Sequence, residues 1–288
     1  MIDLDKIKQK KTTQELLQFC IINIDKPSGP TSFQVSQLMK NFLKATKTSH
    51  FGTLDPQVSG VLPIGINRAC RLNEYLMHRD KTYIGIMRLH KDISKDLLQE
   101  TIKKFIGKIQ QLPPVRSRVK RAIREREIKT FNILEIEDKD ILFETQVQAG
   151  TYIRKICDDM GKDLGGAHML ELRRTWAGIF SESSSANIYE FEKALEEYKN
   201  GDDKSLRKLL VPGEIVATIL PVVEIRKDVV KKCLTGSPIF PTFLENKKQI
   251  DALEKDDKFC IFSEDKFIGC YNFIGEDRLT ARPEFVLN

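Results

Sequence analysis

Apolar positions along this chain change their spacing several times, and each change marks an element. FCIINI (19–24) is an unbroken apolar run rich in isoleucine and predicts a buried strand. Lys26-Pro27-Ser28-Gly29-Pro30 closes it with a turn. Thr31 or Ser32 can then cap a helix whose Val35, Leu38, Met39, Phe42 and Leu43 share one face. Residues 82–89 (TYIGIMRL) predict a strand and 94–106 a helix. Over 128–148 the spacing falls to two, as a hairpin requires. IKTFNILEIE and ILFETQVQ are joined at Asp138-Lys139-Asp140, with Ile141, Phe143, Thr145 and Val147 on one face and Glu144, Gln146 and Gln148 on the other.

Gly150-Thr151 opens another helix with an inner stripe of Ile153, Ile156, Met160 and Leu164, and Gly165-Gly166 ends it. AHMLELRRT reads as a further strand. Hairpins and helices interspersed in this way predict an α+β fold on a mixed, largely antiparallel sheet. Residues 183–205 are polar and helical and lead towards a boundary, giving domains of 1–212 and 213–288. In the second, VVEIR, KFCIF and KFIGCYNFI are short strands between turn residues, a small β-rich module.

Composition removes several classes. The 41% hydrophobic and 31% charged residues are those of a soluble globular protein. No apolar run nears the ~18 residues of a membrane span. The lysine-bearing N-terminus lacks the apolar core of a secretory signal. Six scattered cysteines without a C-x-x-C pair fit reduced intracellular thiols, and four dispersed histidines give a metal site little support. The net charge of +6 is concentrated: RSRVKRAIRER (116–126) holds six Arg/Lys against one Glu. Alone, such a run is more often a solvated face than a polyanion site.

One stretch resists a bland explanation. SHFGTLDPQVSGVLPIG (49–65) contains a single acid, Asp55, among Gly52, Pro56, Gly60, Pro63 and Gly65, and reads as a stiff loop that presents one carboxylate.

Three other stretches share this pairing of charged or aromatic residues with a constrained backbone: NIDKPSGPTS (23–32), KTYIG (81–85) and AGTYIRKICDDMG (149–161). Together with HFGTLDPQVSGVLPIGINRACRL (50–72), they resemble the TruB family of RNA pseudouridine synthases. PPVRSRVKRAIREREI and GGAHMLELRRTWAGIF are similar to its archaeal and eukaryotic Cbf5/dyskerin branch. The segment from LPVVEIRKDVV onward resembles a PUA domain. The resemblance covers residues 20 to 288 and implies a pseudouridine synthase catalytic domain followed by a PUA RNA-binding domain.

The implied reaction isomerises uridine in RNA without cofactor or metal. The bond from ribose C1′ to N1 of uracil breaks, and one from C1′ to C5 forms. Asp55 matches the catalytic aspartate, and a carboxylate beside C1′ can stabilise or bond to the developing cation, as a retaining glycosidase nucleophile does. Attack on C1′ and removal of a ribose proton are both open as its first act. Arg154 matches the arginine that pairs with it, which would keep a buried Asp55 ionised. Tyr83 matches the aromatic under the flipped base, and His50 the residue that contacts RNA where the base leaves the stack. Lys26 has precedent near the site, though a lysine in such a turn is ordinarily exposed, and Tyr152 and Leu172 match pocket positions. Without the family match, Arg154 would read as a surface charge and Tyr83 as a strand-boundary residue. Arg116, Arg118, Lys120 and Arg121 match a loop that closes over the RNA. Phe51 departs from the family, which more often has a small polar residue after the histidine.

The branch implies an archaeal, cytoplasmic H/ACA ribonucleoprotein subunit. Its partners would be a guide RNA, target rRNA or tRNA, and small companion proteins. The alternatives are a stand-alone enzyme acting on the tRNA T-loop and an RNA-binding scaffold without catalysis. A carbohydrate hydrolase would need a second acid and leaves the basic run unexplained.

Overall fold

The computed structural model describes residues 2–113, 120–276 and 278–288. From the N-terminus the chain forms α1 (Leu4–Lys10), α2 (Thr13–Gln18), β1 (Phe19–Lys26), α3 (Ser32–Leu43), β2 (Thr48–His50) and β3 (Ser59–Asn67). There follow α4 (Asn73–Leu76), β4 (Lys81–Leu89), α5 (Lys95–Phe105), β5 (Gly107–Gln111), β6 (Arg124–Glu137) and β7 (Asp140–Val147). Next come α6 (Ile153–Asp163), β8 (Ala167–Ala177), β9 (Phe180–Ser181), α7 (Ile188–Lys199), α8 (Lys204–Leu209) and β10 (Leu210–Pro212). The remainder holds β11 (Val222–Glu224), α9 (Val230–Leu234), β12 (Lys258–Ser263), β13 (Lys266–Glu276) and β14 (Leu279–Val286).

Two compact units divide these elements. One comprises residues 22–64 and 76–209, the other 1–21, 65–75 and 210–288. In the first, the sheet order is β1-β3-β8-β4-β7-β6-β5, with β2 beside β3 and β9 beside β8. β4 is antiparallel to both β7 and β8, β6 to both β5 and β7, while β3 and β8 are parallel. The α+β expectation therefore holds.

Alternation decides which face is covered. Ile141, Phe143, Thr145 and Val147 of β7 are all buried, as their shared face predicts. Ile141, Phe143 and Val147 pack with Met87, Ile128 and Phe131 against Ile156, Cys157 and Met160 of α6 and Leu98 and Ile102 of α5. Phe131 and Phe143 stack with centroids 4.7 Å apart. Each such aromatic removed from water contributes roughly 1.5–3 kcal/mol.

Several elements differ from expectation. The second half of the Asp55 stretch is not loop but β3, buried from Gly60 to Asn67 despite its glycines and proline. Pro63 fits because its position uses only its carbonyl, which accepts the Phe51 N–H at 2.9 Å. α6 begins at Ile153 rather than at Gly150-Thr151. α1, α2, β5 and β14 lie in stretches whose apolar pattern is too short or interrupted to mark them.

In the second unit β11 runs parallel to β12, and β12, β13 and β14 form an antiparallel meander. Val223, Ile225, Phe259, Ile261, Ile268 and Tyr271 make its core. α1 is tied to this unit by Lys6 and Lys10, which reach Asp265 at 3.0 and 2.5 Å. No helix among the described residues is long and apolar enough to cross a membrane.

Candidate active site

Residues 51–58 are locked from several directions, beginning with the turn that follows β1. Lys26 at the end of β1 is fully buried and donates from Nζ to the carbonyls of Pro27 (2.8 Å), Pro30 (2.8 Å) and Pro56 (3.0 Å). The Gly29 N–H also reaches Pro56 O at 2.8 Å, and Ser28 Oγ donates to Gln57 O at 3.1 Å. Gly29 has φ +115°, which lets the turn bring that N–H round. α3 is capped by a reciprocal Thr31–Gln34 box, so the next residue, Ser32, points a buried hydroxyl at the loop. It accepts the Leu54 N–H at 2.8 Å and donates to Leu54 O at 3.0 Å.

β8 supplies the other clamp. Arg174 is 1% exposed and donates from Nε to Val61 O (2.8 Å) and from Nη2 to Gly52 O (3.0 Å). Gly60 lies so close to it that a Cβ there would stand 2.1 Å from Arg174 O. Lys81, also buried, donates to Met77 O at 2.5 Å and to Arg79 O. Burial, and then the Arg174 charge, push both Lys26 and Lys81 down to about 8. Three cations are thus satisfied here by backbone carbonyls.

On this base the turn closes through Val58 N–H to Asp55 O at 3.0 Å and leaves the Asp55 side chain outward. Its carboxylate forms an ion pair with Arg154 Nη2 from the first turn of α6. The two side chains are 51% and 46% exposed, so the expectation of a buried aspartate is corrected. The carboxylate is open to solvent in the free chain, and the arginine aims it. Leu54 and Val58, on either side of Asp55, belong to the same apolar cluster as Tyr83 and Ile153.

The remaining candidates are placed as follows. Tyr83 is buried in β4, in register with Thr145 of β7 and Arg174 of β8. Leu172 is half-buried opposite Gly85, where a Cβ would meet it at 2.8 Å. Tyr152 is half-buried at the N-cap of α6. His50 is half-buried, with Nε2 3.2 Å from Thr53 Oγ1. Phe51, the departure from the family, is 1% exposed and is a core residue. Lys26, expected near the site, is not exposed as a lysine in such a turn ordinarily is: its ammonium is wholly turned inward. Lys120 and Arg121 are exposed, while Arg116 and Arg118 lie outside the described residues. A cavity of about 320 Å³ adjoins Lys26 and Ser59, with Asp25, Arg173 and Tyr189 among its walls; Asp55 is not one of them. No three His, Cys, Asp or Glu side chains converge as metal ligands among the described residues.

Sequence reasoning missed Ser32, Lys81, Arg174 and Gln111. The Gln111 amide brackets the Tyr152 backbone. Arg173 and Arg174 are adjacent and alike, and only strand pairing sends one inward. Arg173 turns to Asp25 (2.9 and 3.0 Å) and Glu182 (3.0 Å) instead.

Comparison with known proteins agrees with this architecture. A crystal structure of a Cbf5–Nop10–Gar1 complex contains a chain that superposes with a TM-score of 0.87 at 33% identity, over 97% of this chain and 88% of that one. An H/ACA ribonucleoprotein bound to a substrate RNA containing 2′-deoxyuridine gives 0.86 at 31%, over 98% and 89%. Fold and site define an RNA pseudouridine synthase. Residues 40–153 match the N-terminal domain of TruB family pseudouridylate synthases, and residues 154–217 the C-terminal domain of tRNA pseudouridylate synthase B. A probable tRNA pseudouridine synthase B of Methanothermobacter thermautotrophicus is 42% identical over 221 residues, 76% of this chain and 68% of the relative. Its counterpart in Sulfurisphaera tokodaii is 44% identical over 230 residues, 79% and 68%. The chain belongs to the TruB family of pseudouridine synthases, and its structure matches archaeal Cbf5.

Proposed function

We propose that the chain converts uridine to pseudouridine as the guide-directed catalytic subunit of an archaeal H/ACA ribonucleoprotein, with Asp55 as its catalytic carboxylate. The observation that carries the catalytic reading is the outward Asp55 on a locked loop, paired with Arg154. A target uridine everted from its stack costs a few kcal/mol of unstacking, offset by contacts in the pocket. Its base would lie against Tyr83, with Tyr152 and Leu172 as walls and His50 at the point of exit. Asp55 would meet the sugar as C1′ parts from N1, by attack on C1′ or by taking a ribose proton. Uracil then turns, C5 bonds to C1′, and C5 loses its proton while N1 gains one, so the product is an isomer of the substrate. Arg154 keeps the carboxylate oriented as the incoming nucleotide displaces water. Lys26 acts through the loop rather than on the nucleotide.

The guided reading is supported by a match over nearly the whole chain to Cbf5 in complex with Nop10 and Gar1. On that reading residues 213–288 are a PUA module for the guide RNA, Arg116, Arg118, Lys120 and Arg121 hold phosphates, small companion proteins dock on the catalytic domain, and the particle is cytoplasmic. Relatives named as probable tRNA pseudouridine synthases B favour the second reading, a stand-alone enzyme on tRNA. Tritium release from C5 of labelled tRNA and rRNA, with and without guide RNA, separates the two. Efficient turnover of every substrate without a guide rules out the first. Asp55→Asn is expected to abolish release while RNA affinity stays within about tenfold, near 1.4 kcal/mol; a variant that still turned over would remove Asp55 from its role.

A further inference from the structure

Arg154 can orient Asp55 only if the start of α6 is itself fixed. The N-cap residue, Tyr152, makes no side-chain cap hydrogen bond among the described residues. Its backbone is held from outside the helix. Gln111, the last residue of β5 and 2% exposed, accepts the Tyr152 N–H on Oε1 at 3.0 Å and donates from Nε2 to Tyr152 O at 3.2 Å. That same carbonyl accepts the Ile156 N–H at 3.1 Å, the first bond of the helix. The amide therefore treats Tyr152 as a neighbouring strand would, giving one donor and one acceptor to a single residue.

We infer that Gln111 is a positioning residue: its amide holds the N-terminus of α6, and with it Arg154, in register with Asp55. The inference rests on the reading of Asp55 and Arg154 given above. The hydrogen bonds of the Gln111 amide go to the backbone of Tyr152, two residues before Arg154, and it acts through that residue. Few side chains can replace it. Asparagine is one methylene short, leucine fills the space without either bond, and glutamate offers two acceptors, one of which faces the Tyr152 carbonyl.

The test uses the full chain, alone or with guide RNA and companion proteins, whichever setting lets the unmodified chain release tritium from C5-labelled RNA. Gln111→Leu is expected to lower kcat about 10–100-fold, the cost of displacing an aligned group by an ångström or so, with KM within about threefold. In an Arg154→Lys background the same change should cost less than about threefold, because the group it positions is already altered. Gln111→Glu provides a signature should the leucine variant not fold. Its activity relative to the unmodified chain should rise as pH falls, because a protonated carboxyl regains one donor and one acceptor. A full kcat for Gln111→Leu, a loss that adds undiminished to that of Arg154→Lys, or a Gln111→Glu pH profile like that of the unmodified chain overturns the inference alone. A fully active Asp55→Asn overturns the reading beneath it and the inference together.

Discussion

Lys26, Lys81 and Arg174 stand in contrast to Arg154. The first three are buried, and their bonds go to carbonyls of the loop and of the turns beside it. Arg154 is half-exposed and spends its charge on one carboxylate. A buried cation with carbonyl acceptors makes a rigid joint, since every lost bond leaves a polar group unsatisfied away from water. An exposed ion pair makes a weak joint, and water or a nucleotide can take its place. The loop is therefore stiff behind Asp55 and open in front of it, which suits the role proposed for Asp55, holding its aim yet admitting an RNA sugar.

Removing a member of the buried set should do the most damage. Lys26→Met strands the carbonyls of Pro27, Pro30 and Pro56. It is expected to cost about 2–4 kcal/mol of stability in urea unfolding, and to lower kcat roughly 100-fold or more as the loop loosens. An unchanged unfolding midpoint would show that Lys26 is not the joint described. Arg154→Lys sharpens the contrast from the other side. A lysine keeps the charge but not the fork, so kcat should fall roughly 10–100-fold while the melting temperature hardly moves. A large drop in melting temperature would make Arg154 a structural residue like the other three.

Alkaline titration of the two buried lysines should act with opposite signs on rate and stability. Lys26 and Lys81 are held near 8, below the 10.5 of a free lysine. Between about pH 8 and 10.5 the unfolded chain keeps protons that the folded chain has released, so these lysines make unfolding harder as pH rises. A neutral amine has too few donors for three carbonyls, so kcat should decline above about pH 8 without a matching fall in melting temperature. A flat rate up to pH 10 would contradict this. The smallest effect is expected at the exposed basic residues. Replacing Lys120 and Arg121 by alanine should reduce the salt slope of RNA binding by about 0.7–0.9 per charge and leave kcat at saturation unchanged. An unaltered slope would take them off the RNA path.

The regions differ as well in how far they could be read from residues alone. Period-two alternation through β7 and the capped apolar stripe of α3 are local, and both appear where expected. β3 was hidden because Gly60, Pro63 and Gly65 are turn residues by local rule, and only pairing on both sides makes them strand. Arg174 was hidden because Arg173 beside it is chemically the same, and the register slip between Thr82 and Tyr83 helps set which of them faces the loop. Lys26 is legible as a residue near the site, but not its inward turn, which depends on three carbonyls, one of them thirty residues away.

Residue order by itself determined the chemical inventory of this protein: one carboxylate on a constrained segment, an arginine opening a helix, a tyrosine on a strand and the family to which they belong. These are properties of spacing and type, which survive without coordinates. Tertiary structure decided which cations face inward, that the carboxylate is open rather than enclosed, and that a glutamine from another strand holds the arginine's helix. Those outcomes depend on which distant backbone atoms come within about 3 Å of a side chain. No local pattern in the chain encodes that distance.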